Sequence, residues 1–172
     1  MKTLIIFSHT YYAQSRVNRR LLEIANLIPD VTIRNLDGLY GTDFTKIDVP
    51  EEQHLLTENS RIVFQFPVFW FSTPPMLKAY MDQVFTHGWA YGSEGHALAG
   101  KQFMVAASTG SSLEKYRKGG FTMEELLRPL MTSAAFVGMV VDRPMITYGC
   151  LDITEEGIKA ACQEYRKLLT TC

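Results

Sequence analysis

Short, unbroken apolar runs alternate along this chain with segments whose apolar residues recur every three to four positions, the pattern of strands and helices in alternation. Leu4 to Phe7 is one such run; it stops at Ser8 and suits a strand covered on both faces. Val17, Leu21, Ile24, Ala25 and Ile28 then share one helical face, with Arg16, Arg19, Arg20 and Glu23 mostly opposite, until Pro29 and Asp30 break the pattern. Val31 to Leu36 reads as a second strand. From Asp37 to Glu58 the chain turns polar, with Gly38, Gly41 and Pro50, and reads as a connection with a short helix near Glu51 to Leu56.

Arg61 to Phe66 is a third strand, ended by Pro67. After it, Ser72-Thr73-Pro74-Pro75 announces a helix, with Thr73 as cap, Pro74 at the first helical position and Leu77, Tyr80, Met81 and Val84 as its apolar face. Gln102 to Ala107 is a fourth strand, followed by the glycine-punctuated loop that begins Ser108-Thr109-Gly110-Ser111-Ser112. Thr122 and Glu125 fit a capping box opening a helix to about Phe136, bent at Pro129. Met139 to Val141 leads into a fifth strand near Met145 to Tyr148, and an amphipathic helix follows Thr154, with Glu155 and Glu156 in its first turn. This alternation predicts an α/β protein, one domain over residues 1–172, with a flavodoxin-like five-stranded parallel sheet in the order 2-1-3-4-5 and helices on both faces. In such a sheet ligands bind beyond the carboxyl ends of the strands where the order reverses, here after Phe7 and Phe66.

Charge narrows the partners. Seventeen Lys and Arg against eighteen Asp and Glu leave no positive excess to track a nucleic acid backbone. The most apolar window, Ile62 to Phe71, is too short to span a bilayer and contains Gln65 and Pro67, so no membrane insertion is expected. The apolar stretch after Lys2 is too short for a secretory leader, and a cytoplasmic location is expected. Cys150, Cys162 and Cys172 form no CxxC pair and read as reduced thiols, and His9, His54, His87 and His96 lack metal-ligand spacing.

The first loop, Ser8-His9-Thr10-Tyr11-Tyr12-Ala13-Gln14-Ser15-Arg16-Val17-Asn18, has neither the GxGxxG of dinucleotide folds nor the GxxxxGK[ST] of nucleotide triphosphatases. It offers hydroxyl, amide and guanidinium donors at a helix N-terminus, where free N–H groups suit a phosphate, and Arg16 adds charge. The same hydroxyls also serve simply as caps and turns. Pro67-Val68-Phe69-Trp70-Phe71 places three aromatics on a loop, which suits a planar heteroaromatic ligand, though a plugged core or a dimer interface would use them too. Ser108, Thr109 and Gly110 bring further donors to the same ring, and Gly110 permits close backbone approach.

The stretch Phe64 to Phe85, with Pro67, Trp70, Pro75, Lys78 and Asp82, followed by Gly88-Trp89-Ala90-Tyr91, closely resembles the central motif of the NAD(P)H:quinone oxidoreductases, the flavodoxin-2-like group related to DT-diaphorase. Among these, the small bacterial members resemble it most in length: the modulator-of-drug-activity reductases and the ancillary subunits of glutathione-gated potassium efflux systems. Ser108-Thr109-Gly110 with Tyr116, Phe121 to Leu130 and Gly138-Met139 extend the likeness over most of the chain. The resemblance implies a bound flavin, FMN in preference to FAD. His9, Ser15, Val17 and Asn18 match the phosphate loop, Pro67 to Phe71 and Ser108 to Gly110 the ring site, and Tyr116 a tyrosine beside the flavin and the nicotinamide or quinone pocket. The family often has His-Pro where this chain has His9-Thr10, and a smaller or apolar residue at Arg16.

The leading expectation is a homodimeric flavoprotein that oxidises NAD(P)H and passes two electrons to a quinone-like acceptor by ping-pong hydride transfer, with Tyr116 as a proton or hydrogen-bond partner. A one-electron carrier of the flavodoxin kind is disfavoured by the net charge of -1 and the lack of an acidic block. An ancillary subunit docked peripherally on a potassium efflux transporter is the third reading.

Overall fold

The computed structural model describes residues 1–171; the reading of Cys172 as a reduced thiol lies outside them. The sheet is parallel. Its strands are β1 (Thr3–Phe7), β2 (Val31–Asn35), β3 (Arg61–Pro67), β4 (Gln102–Ser108), β5 (Val140–Val141) and β6 (Met145–Thr147), in the order β2-β1-β3-β4-β5 with β6 also on β4. The expected order holds, but the fifth strand is split into two short pieces along one edge of β4. Asp142-Arg143-Pro144 separates them, and Pro144 has no N–H to give to a ladder.

The helices are α1 (Val17–Ala25), α2 (Leu36–Tyr40), α3 (Val49–Glu58), α4 (Pro75–Val84), α5 (Leu113–Lys118), α6 (Met123–Phe136) and α7 (Glu155–Thr170). Because side chains alternate across a strand, β1 sends Leu4 and Ile6 to one core and Ile5 and Phe7 to the other. The first core packs under α2, α3, α4 and α6 through Leu36, Leu56, Leu77, Tyr80 and Leu127. The second packs under α1 and α7 through Leu21, Ala25, Ile158 and Tyr165.

Several boundaries depart from the sequence reading. Helix α1 ends at Ala25, three residues before Ile28, and the chain continues in tighter turns, Leu27 N–H to the Ile24 carbonyl and Ile28 N–H to the Ala25 carbonyl. Leu36 leaves β2 for α2, because the Asn35 side chain accepts from Gly38 N–H and caps a new helix. The polar connection therefore holds α2, a single 3-10 turn over Phe44–Lys46 and the full α3, started by Asn35, Asp43 and Asp48 respectively. Helix α4 begins one residue later than expected: Pro75 disfavours helical geometry at Pro74, which stays extended with ψ 150° as the cap, and Thr73 caps nothing. The loop after β4 contains α5, capped by Ser112. The Thr122–Glu125 capping box and the Thr154 cap form as expected, with Pro129 inside α6. Among the described residues no helix is long and apolar enough to cross a membrane.

Candidate functional site

A cavity of about 490 Å3 opens at the carboxyl ends of β1, β3 and β4, where the strand order reverses. Its wall is built by four chain segments. The first loop and the start of α1 contribute His9, Tyr11, Gln14, Ser15, Arg16, Val17 and Asn18. Pro67, Val68 and Phe69 come from the end of β3, Ser108, Thr109 and Gly110 from the end of β4, and Cys150 and Leu151 from the turn after β6. The structure thus gathers eleven of the fourteen sequence-predicted positions in one hollow, leaving out Trp70, Phe71 and Tyr116. Tyr11, Gln14, Cys150 and Leu151 are the members that the sequence reading did not single out.

At one end lies the N-terminus of α1. Helices α2, α3, α5, α6 and α7 each receive a side-chain cap, whereas Arg16, at the cap position of α1, makes none. The first-turn N–H groups of α1 therefore stay open to an anion, with the positive end of the helix dipole behind them. Arg16 lines the cavity as well. Its guanidinium turns to Glu155 on α7, Nη2 to Oε1 at 2.8 Å.

The opening of the first loop is fixed by α2. Asp37 Oδ2 accepts from Ser8 Oγ at 2.6 Å and from His9 N–H at 2.8 Å. The His9 ring, 7% exposed, accepts from Tyr11 N–H at Nδ1 (3.1 Å) and so carries its proton on Nε2. Burial lowers the His9 pKa and outweighs the opposing pull of Asp37. A folded-state pKa below the unfolded one means that the unfolded chain binds the proton more readily. Stability tied to His9 is therefore complete above about pH 6.5 and falls as the pH drops through and below that value. His9→Gln is expected to flatten this slope in denaturant unfolding between pH 7 and pH 5; an unchanged slope would show that His9 does not set it.

The aromatic loop is a tight hairpin. Phe69 and Ser72 exchange both backbone hydrogen bonds at 3.0 Å, and Trp70 and Phe71 between them sit at φ 47° and 63°. Two successive positive φ values are the geometry of a type I′ turn, which favours Asn-Gly and costs bulky L-residues about 1–3 kcal/mol each. Phe69 faces the cavity and its ring meets His9 and Tyr11 edge-on. Trp70 is 94% exposed and stands clear of the cavity, while Phe71 packs edge-on against Phe121 in a separate hollow beside α6. The turn sends the three aromatics of this loop three ways, and Phe69 alone of them lines the cavity. Trp70→Asn removes no packing and suits a positive φ, so it should raise stability by about 1 kcal/mol in urea melts. A loss of stability would show that the turn is not strained.

Not every backbone donor expected at the ring is free. Val68 N–H goes to the Ser108 carbonyl (2.8 Å), Phe69 N–H to Ser72, and Thr109 N–H to Thr147 (2.9 Å). Among the described residues, the N–H groups of Trp70, Phe71 and Gly110 have no backbone acceptor. Gly110 also lies where a Cβ would meet the Leu151 side chain at 3.1 Å, so its lack of a side chain keeps that wall close. Tyr116 is 6% exposed and reaches the site indirectly, its hydroxyl 2.5 Å from Thr109 Oγ1.

The size of the hollow falls within the roughly 300–1,000 Å3 of small-molecule sites. An anion-binding helix end at one side and apolar, donor-bearing loops at the other fit a flat ring that carries a phosphate tail. Fold and site together define a doubly wound parallel α/β domain with its ligand cradle at the switch point. The chain belongs to the Flavodoxin_2 family of flavodoxin-like fold, whose model matches residues 1–169. It is 39% identical over 166 residues to the Bacillus subtilis protein named uncharacterized NAD(P)H oxidoreductase YrkL, covering 95% of this chain and 94% of that one. It is 38% identical over 169 residues to the glutathione-regulated potassium-efflux system ancillary protein KefF of Salmonella schwarzengrund, covering 98% and 95%. The structure of general stress protein 14 from Treponema denticola in complex with FMN superposes with a TM-score of 0.87, at 34% identity over 98% of this chain and 96% of that one.

Proposed function

We propose that the protein is an FMN-dependent oxidoreductase, working as a homodimer, that takes hydride from NAD(P)H and delivers two electrons to a quinone or a similar flat aromatic acceptor. The observation that carries this reading is the single cavity joining the uncapped N-terminus of α1 to the loops after β3 and β4. The FMN complex of general stress protein 14 and the NAD(P)H oxidoreductase relative favour the same cofactor and donor here. Bound FMN would supply a centre that accepts hydride from one substrate and releases it to the next; with one proton from solvent, that converts a quinone to a hydroquinone.

The chain's own residues bind and orient. The N–H groups at Val17 and Asn18, with the Ser15 hydroxyl, would hold the phosphate, and neutral His9 would donate through Nε2. Pro67, Val68 and Phe69 would form the apolar side of the ring site, and the Gly110 N–H with the Ser108 and Thr109 hydroxyls its polar edge. Trp70 and Phe71 would flank the entrance for the second substrate. Tyr116 acts through Thr109, holding its hydroxyl in place. A second copy would cover the apolar hollow of α4 and α6 lined by Met81, Phe85, Tyr91 and Phe136, the last 73% exposed.

The test is the visible spectrum of purified protein mixed with FMN, before and after anaerobic NADPH, followed by turnover with a soluble naphthoquinone. A yellow protein that bleaches and turns over supports the reading; a protein that stays colourless with FMN overturns it. The likeness to KefF favours a second reading, an ancillary subunit of a potassium efflux transporter. Co-purification with such a transporter, without turnover by the free protein, would select it.

A further inference from the structure

Beneath the cavity runs a line of four buried polar side chains from helices α7 and α1 and strands β3 and β4. Tyr165 on α7 donates its hydroxyl to Gln65 Oε1 at 2.9 Å. Gln65 Nε2 contacts both the carbonyl and the Oδ1 of Asn18, at 3.2 and 3.3 Å, and Asn18 Nδ2 donates to Ser108 Oγ at 2.7 Å. Tyr165 and Gln65 are fully buried, Asn18 is 2% exposed and Ser108 3%. Only Asn18 and Ser108 reach the cavity.

The direction of this line is not free to choose. Burial pushes the Tyr165 phenol far above its ordinary pKa, so it keeps its proton, and in this buried position the group that receives that proton is Gln65 Oε1. Gln65 must then present its oxygen to Tyr165 and its NH2 to Asn18, and Asn18 must present its NH2 to Ser108. The Ser108 oxygen is thereby an acceptor on its inner side, which leaves its O–H to donate outward. Each bond polarises the next in a low-dielectric interior, so the terminal donor is both aimed and strengthened.

We propose that Tyr165 and Gln65 are positioning residues that make the Ser108 hydroxyl a fixed hydrogen-bond donor to an acceptor atom on the polar edge of the bound ring. This rests on the FMN reading above and adds a determinant more than one residue removed from the ligand. The first variant is Tyr165→Phe, which keeps the ring and removes only the hydroxyl that sets the Gln65 amide.

The measurement is FMN affinity by quenching of flavin fluorescence, together with the reduction potential of the bound flavin, in wild type, Tyr165→Phe, Ser108→Ala and the double variant. Tyr165→Phe should weaken FMN binding about tenfold and lower the potential, the size of one hydrogen bond to a charged or strongly polar acceptor. In the Ser108→Ala background the Tyr165→Phe change should have almost no further effect, because the donor that it acts through is gone. Losses that add in the double variant, or wild-type affinity in Tyr165→Phe, would overturn the relay. Gln65→Met tests the same line independently should Tyr165→Phe fold poorly, with the same non-additivity expected. Wild-type protein that binds no FMN would instead remove the cofactor reading, and the relay's role with it.

Discussion

Replacing Arg34 by Met should destabilise the protein by about 3 kcal/mol, which for a chain of this size is roughly 6–12 °C in melting midpoint. Glu52 on α3 is completely buried, and its Oε1 accepts from Arg34 Nη2 (2.5 Å), Arg34 Nε (3.1 Å) and Tyr40 Oη (2.5 Å). Among the described residues its Oε2 and the hydroxyl of buried Tyr80 have no hydrogen-bond partner. Burial and the neighbouring Glu52 both push the Tyr80 phenol well above its ordinary pKa. Removing the guanidinium would strand a desolvated carboxylate with one neutral donor, the situation that makes breaking a buried pair so costly. The Arg34 side chain is 20% exposed, which places the loss toward the lower end of the usual range. The double variant Arg34→Met, Glu52→Gln should recover more than half of it, since no buried charge is then left alone. A single variant within 1 kcal/mol of wild type in chemical unfolding would refute the argument. The cluster also bears on the site, because Tyr40 and Asp37 belong to the same short helix, and Asp37 holds Ser8 and His9 in the first loop.

What the sequence made legible follows from what each segment is covered by. Leu4 to Phe7 and Ile62 to Phe66 are buried on both faces, so their apolar runs, broken only by Gln65, could mean little else than inner strands, and the loops following them wall the cavity. The short helices α2 and α5, of five and six residues, are less than two turns long, too short for an apolar period to repeat; side-chain caps and the turns around them start them. Cys150 and Leu151 were missed because neither side chain carries a hydroxyl or a charge, and only the pairing of β6 with β4 brings their turn to the cavity. Trp70 and Phe71 were legible as an aromatic loop, but which way each ring faces is decided by a turn that Asn-Gly would announce and Trp-Phe does not. The pairing of Arg16, which lines the cavity, with Glu155 was not legible either: that partner lies 139 positions away on α7, which packs beside α1 on the same face of the sheet, and a local pattern cannot report it.

Ser15→Asp separates what the α1 N-terminus does for folding from what it does for binding, because the two effects have opposite signs. Ser15 precedes the cap position of α1 and lines the cavity. A carboxylate there faces the positive end of the helix dipole, so the free protein should gain about 0.3–1 kcal/mol. The same carboxylate would stand within roughly 5 Å of a bound phosphate, where like charges at an effective dielectric near 20 repel by about 3 kcal/mol. FMN affinity should therefore fall on the order of 100-fold while the melting midpoint of the ligand-free protein holds or rises. Riboflavin, which has the ring without the phosphate, should bind both forms about equally. Equal loss for FMN and riboflavin would mean that the phosphate lies elsewhere, and the uncapped end of α1 would then have to be explained by its packing alone.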